Sequence, residues 1–191
     1  GSYIRLDICM QSKLTTGVLL PKNATVTYAR MNISGSTGYT GVFDMNDLSA
    51  ATQTKTYNRF TCRCVGADGK FYIRNTYSTT TINVYQNLSS FMSGGSTIST
   101  FTVTGLAAYC QMIYVNDYLY FSGSSTTIIK YSLASSSIVT TSIAGGSVSW
   151  NWGGGVQCGL ATDGVYIYSL DGSTLKIYDL NENLKRSVTL A

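Results

Sequence analysis

With 191 residues, 44% of them hydrophobic and only 12% charged, the chain is long enough to bury one core and too apolar to remain disordered. Its net charge of +4 comes from 13 scattered basic residues, which lack the dense track that follows a phosphate backbone, so no nucleic acid is expected as a partner. The absence of histidine excludes a Ser-His-Asp triad, a Cys-His pair and the usual catalytic zinc sites.

Tyrosine at 15, glycine at 19 and a single proline, Pro21, favour strands joined by tight turns. Gly1-Ser2 reads as an expression remnant, and the sequence has neither a tripartite leader nor an apolar run of spanning length, so no membrane insertion is expected. Residues 3–58 form the first unit, with strands expected over 3–10, 25–33, 40–45 and 53–57 and an unmatched insertion over 11–23. The second unit, 59–105, opens with an apolar strand over 60–65 and then has Asp68-Gly69-Lys70-Phe71-Tyr72-Ile73, a turn pair leading into an aromatic strand. Ile82-Asn83-Val84-Tyr85 supplies its third strand and 98–104 its polar fourth. In the third unit, 106–147, the same order recurs as 109–115, Asn116-Asp117-Tyr118-Leu119-Tyr120-Phe121, Ile128-Ile129-Lys130-Tyr131 and 137–143. The fourth, 148–191, repeats it as 156–161, Asp163-Gly164-Val165-Tyr166-Ile167-Tyr168, Leu175-Lys176-Ile177-Tyr178 and 184–190.

Tyr131 follows Tyr85 by 46 positions and Tyr178 follows Tyr131 by 47, while Phe43 stands 42 before Tyr85. A lone four-stranded sheet leaves both faces bare, whereas radial stacking of such sheets buries them and leaves short edges. In repeat length, turn and aromatic strand the chain resembles the β-propeller repeat families, without the Trp-Asp signature of the WD40 type or the Gly-Gly doublet at Kelch spacing. The resemblance covers about 130 residues and implies an all-β fold, a single four-bladed β-propeller domain over 3–191. The alternatives are part of a larger propeller, or a β-sandwich-like first part joined to three repeats.

The five cysteines (Cys9, Cys62, Cys64, Cys110, Cys158) match neither a Cys-x-x-Cys pair nor a secreted disulfide framework and are read as buried thiols. Arg59, Arg63, Lys70 and Arg74 form the closest basic cluster, read as a solvated face. Asp68, Asp163 and Asp171 each precede glycine and suit turns, Glu182 is the only glutamate, and Asp44 to Asp47 lacks a calcium loop's alternation, so neither a metal, a cofactor nor enzymatic activity is expected.

Both tryptophans lie in Ser149-Trp150-Asn151-Trp152-Gly153, between the last strand of one unit and the first of the next. Aromatic faces stack on sugar rings, and a neighbouring amide holds hydroxyl groups. The expected function is non-catalytic recognition of a glycan or cell-surface polymer through Trp150, Asn151, Trp152, Tyr57, Arg59 and Tyr109. These residues would gather where units join. The polar surface resembles bacterial adhesins and phage tail or receptor-binding proteins, which implies an extracellular, cell-surface or virion location. The alternatives are a structural or protein-interaction module of an extracellular or virion assembly, and a carbohydrate-active enzyme with two paired carboxylates.

Overall fold

The computed structural model describes residues 29–31, 37–44, 47–58, 62–76, 78–107, 110–122, 127–145 and 159–189, the first three stretches as backbone alone. The chain divides into two compact units, 1–60 and 61–191. In the first, β1 (Ala29–Met31), β2 (Thr37–Asp44) and β3 (Asp47–Asn58) form an antiparallel sheet in that order. The β2–β3 pairing shifts register around Phe43, which lets β3 run longer than the 53–57 that alternation suggested. The strand expected over 3–10 lies outside the described residues.

The second unit holds three four-stranded antiparallel sheets, each a meander in chain order. The first sheet is β4 (Arg63–Val65), β5 (Phe71–Arg74), β6 (Thr81–Tyr85) and β7 (Ser99–Thr102). The second is β8 (Met112–Val115), β9 (Tyr118–Ser122), β10 (Ile128–Ser132) and β11 (Ser137–Val139). The third is β12 (Leu160–Thr162), β13 (Tyr166–Asp171), β14 (Thr174–Asp179) and β15 (Leu184–Thr189).

Turn chemistry sets each first hairpin. Gly69 and Gly164 adopt φ of 81° and 84°, and Asn116 and Asp117 adopt 48° and 64°, the left-handed backbone that suits these residue types and matches the twist of the flanking strands. The repeated tyrosines then fall into equivalent pairings: Phe71 with Tyr85, Leu119 with Tyr131, and Ile167 with Tyr178. One element departs from the expected all-strand pattern. Between β6 and β7, α1 (Leu88–Met92) forms because the Asn87 side chain caps it, accepting from Ser90 N at 2.7 Å, and because Phe91 is buried beneath it.

Strand alternation sends the two faces of the second sheet into two separate cores. Cys110, Met112, Leu119, Phe121 and Tyr131 meet Cys62, Cys64, Tyr72, Ile82 and Val84 of the first sheet. On the other side, Ile113, Val115, Tyr120 and Ile128 meet Leu160, Ile167 and Tyr178 of the third. Each fully buried aliphatic or aromatic side chain contributes about 1.5–3 kcal/mol, so these faces bind the sheets more firmly than any surface ion pair could. The first strands sit side by side, β4 against β8 and β8 against β12. The second unit is thus a run of propeller blades stacked face to face.

Candidate recognition surface

In a four-stranded meander, the first strand starts at the end where the fourth finishes, and the first hairpin turn lies at the opposite end. Junctions between sheets therefore occupy one end of the stack and the turns of Asp68, Asp117 and Asp163 the other. The residues expected to bind ligand belong to the junctions. Trp150, Asn151, Trp152, Arg59 and Tyr109 lie outside the described residues, while Tyr57 lies in β3 opposite Gly38 with its backbone alone described.

The turn end is described and repeats one device. Asp68 accepts from the Tyr72 hydroxyl at 2.8 Å, from Lys70 N at 3.1 Å and from Lys70 Nζ at 3.1 Å. Asp163 accepts from Val165 N at 2.8 Å, Tyr166 N at 2.7 Å and the Tyr168 hydroxyl at 2.8 Å. In the second sheet the Tyr114 hydroxyl donates to Asp117. Burial alone would raise the pKa of Asp68 and of Asp163, but the donors outweigh it and hold both carboxyls below their usual range. The tyrosines respond oppositely. Burial first and then the carboxylate partner push Tyr72 and Tyr114 well above the usual phenol range and Tyr168 up to about 12, so all three stay protonated as donors.

The Tyr72 and Tyr114 rings lie 6.0 Å apart and carry this belt from the first sheet to the second. Further along, Lys130 Nζ stands 4.1 Å from the centre of the Tyr118 ring and 2.6 Å from Glu182 Oε1 of the third sheet. Val65, Val165 and Tyr166 are exposed among the sheets' edge and turn residues, leaving apolar contact area beside the fixed polar groups.

Two sequence expectations need revision. Arg63 and Arg74 do not form a solvated face: they are 1% and 2% exposed, because each follows the pleat into an intersheet or covered face. Arg74 donates through Nε to Thr79 O and through Nη1 to Ala107 O, fastening the first sheet to the segment that leads into the second. Glu182 is no idle turn residue either. It crosses between sheets to accept from Tyr120 at 2.8 Å, Thr141 at 2.9 Å and Ser142 N at 2.7 Å. Gln111 links the same sheets, its Oε1 accepting from Leu160 N at 3.0 Å. Nothing in the local pattern around Glu182 and Gln111 announces cross-sheet roles, because these partners lie 40 or more positions away.

Among the described residues no group of three or more His, Cys, Asp or Glu is placed to hold a metal ion, and no helix is long and apolar enough to cross a membrane. Solved structures similar to the chain include the computationally designed Ika8 protein (11% identity, covering 84% of this chain and 48% of that one, TM-score 0.43), the WD40 domain of Neurospora crassa Pan2 (10%, 85% and 52%, 0.47) and the WD40 β-propeller domain of Doa1 (15%, 82% and 51%, 0.43). The chain spans about half the length of these structures. Comparison with curated proteins gave no match. Residues 50–183, well over half of the chain, match the olfactomedin-like domain.

Proposed function

The chain belongs to the olfactomedin-like domain family, a family of β-propellers, and from that premise we propose that it is a non-catalytic module that recognises a partner protein outside the cell. The family match over 50–183 is the observation that carries this reading. Domains of this family are typically extracellular.

The chemistry of the side chains favours recognition over catalysis. All acidic side chains described are committed: Asp68, Asp117 and Asp163 to tyrosine hydroxyls, Asp171 to Lys176, Asp179 to Lys185 and Asn183, and Glu182 to Lys130. A glycosidase needs one carboxyl raised so that it holds a proton. Asp68, Asp163, Asp179 and Glu182 are all displaced the other way. What the turn end offers instead is rigid aromatic and apolar area, Tyr166 and Val165, beside groups whose hydrogen bonds are already fixed. Such preorganised area loses little entropy on contact.

A second reading is favoured by the placement of Trp150 and Trp152 on either side of Asn151 at a junction between units: a glycan or cell-surface polymer bound there, with Tyr57, Arg59 and Tyr109 contributing. A protein microarray and a glycan array probed with the labelled chain separate the two. Retention on the protein array that is lost in Val165→Asp and Tyr166→Ala supports the first reading. Retention on the glycan array that is lost in Trp150→Ala and Trp152→Ala transfers the function to the second. Silence on both arrays would end the recognition reading.

A further inference from the structure

The first and second sheets meet at a pair of thiols. Cys62 leads into β4 and Cys110 into β8, matching places in successive repeats, and the two sulfur atoms are 3.2 Å apart. Both residues are buried, at 2% and 6% exposure. Nη1 of Arg74 lies 3.4 Å from Cys110 Sγ and is itself held by the Ala107 carbonyl. A pair of sulfurs already in contact needs only to close to the bond length of about 2.05 Å, with the strands they lead into packed side by side.

We propose that Cys62 and Cys110 are an oxidisable pair that forms a disulfide staple between the first two sheets of the second unit. The oxidant is a low-molecular-weight disulfide such as oxidised glutathione. The Cys110 thiolate attacks one sulfur of that disulfide, giving a mixed disulfide and releasing one glutathione thiolate. Cys62 then loses its proton and attacks the Cys110 sulfur, forming the Cys62–Cys110 bond and releasing the second glutathione. Two protein thiols are oxidised, one disulfide is reduced to two thiols, and both protons pass to the solvent and the released thiolates.

The position of the Arg74 guanidinium, 3.4 Å from Cys110 Sγ, favours Cys110 as the first attacker, because a cation beside the sulfur stabilises its thiolate. The Cys62 thiol hydrogen-bonded to it, aided by the charge of Arg74, holds the Cys110 thiol below its usual range in spite of burial. Cys64 lies on the same side of the strand as Cys62, in the same core as Tyr72 and Tyr114. The exchange fits the oxidising conditions of the extracellular reading but does not depend on it, since the purified chain contains both sulfurs.

The sequence makes the test direct. Trypsin places all five cysteines on different peptides: 6–13, 60–63, 64–70, 75–130 and 131–176. After equilibration of the intact chain in a glutathione buffer rich in the oxidised form, a non-reducing alkylated digest is expected to contain 60–63 joined to 75–130, and dithiothreitol should abolish that species. Oxidised chain should melt on the order of 10 °C above reduced chain, because the bond closes a loop of some 50 residues. This difference should vanish in Cys62→Ala and in Cys110→Ala and persist in Cys64→Ala. Recovery of 60–63 and 75–130 as separate alkylated peptides, or of either joined to a different cysteine peptide, overturns the staple. The peptide map of the unsubstituted chain decides even if a variant fails to fold, and neither array experiment bears on it.

Discussion

Glu182 shows how much one residue holds in place. It sits at φ 66° in the turn before β15, a conformation that disfavours most side chains, and its carboxylate crosses to the second sheet for Lys130 and four hydrogen bonds. Burial alone would raise its pKa, but Lys130 and the Ser142, Tyr120 and Thr141 donors reverse that and hold it at about 2, against an ordinary value of 4.5. A depressed carboxyl stabilises the folded state fully above the ordinary value, and the contribution is lost as pH falls from about 4.5 towards 2. The melting temperature of the chain should therefore decline over that window, and Glu182→Gln should flatten the decline. At neutral pH the same substitution should cost about 1.5–3 kcal/mol, since it leaves the half-buried Lys130 without its carboxylate, facing the Tyr118 and Tyr120 rings. Urea titrations of both proteins at pH 7 and pH 3 check the expectation: an unchanged pH slope in Glu182→Gln would assign the acid sensitivity elsewhere. No feature of the neighbouring sequence, Asn181 and Asn183, indicates this role.

At the scale of elements, the parts readable from sequence were those set by neighbours in the chain. The Asx-Gly and Asn-Asp turns and the aromatic runs after them place the starts of β5, β9 and β13 within a residue, because left-handed turn residues and period-two alternation are local signals, while β13 runs on to Asp171. Strand ends were less legible. Of the expected inner strands over 60–65 and 109–115, the described parts are Arg63–Val65 and Met112–Val115, each extended by one backbone bond, Arg74 N to Cys62 O at 2.9 Å and Ser122 N to Gln111 O at 3.2 Å; residues 60, 61 and 109 lie outside the described residues. The helix α1 was missed for a related reason: five residues carry no helical periodicity, and Asn87-Leu88-Ser89 reads equally as a polar loop. Its stability comes from the cap and from one buried ring, with Phe91 at 4.8 Å from the Phe71 ring and 5.1 Å from that of Tyr85. Asn87→Ala should accordingly cost about 1 kcal/mol and Phe91→Ala about 3–5 kcal/mol. Chemical denaturation ranks the two; a larger loss for Asn87→Ala than for Phe91→Ala would mean that the cap, not the ring, anchors the segment.

On the scale of the whole molecule, the spacing of Tyr85, Tyr131 and Tyr178 revealed three like sheets because a repeat multiplies a weak local signal. The first unit lacked that help, its aromatic at Phe43 standing in a register shift that departs from the repeat. The ligand-binding residues were chosen for chemistry between units, and five of the six lie outside the described residues, whereas the turns of Asp68, Asp117 and Asp163 are described. Joining like sheets has a thermodynamic consequence. In an open repeat array each unit is stabilised by its own pairing and by its neighbours, and loosely coupled units can melt in steps. Here the second sheet has no face of its own: Met112, Leu119 and Phe121 complete one core, Ile113, Val115 and Tyr120 the other, and Glu182, Gln111 and Arg74 add polar ties across both. Emptying either core exposes the same sheet. Met112→Ala in the first core and Ile167→Ala in the second, each fully buried, should both lower the denaturation midpoint of residues 61–191 by an amount corresponding to about 2–5 kcal/mol, with the slope unchanged. Hydrogen exchange read by peptide should then show β5, β9 and β13 losing protection together in either variant. If Ile167→Ala released β13 while β5 kept its full protection, the sheets would be separate folding units and the shared middle sheet would not couple them.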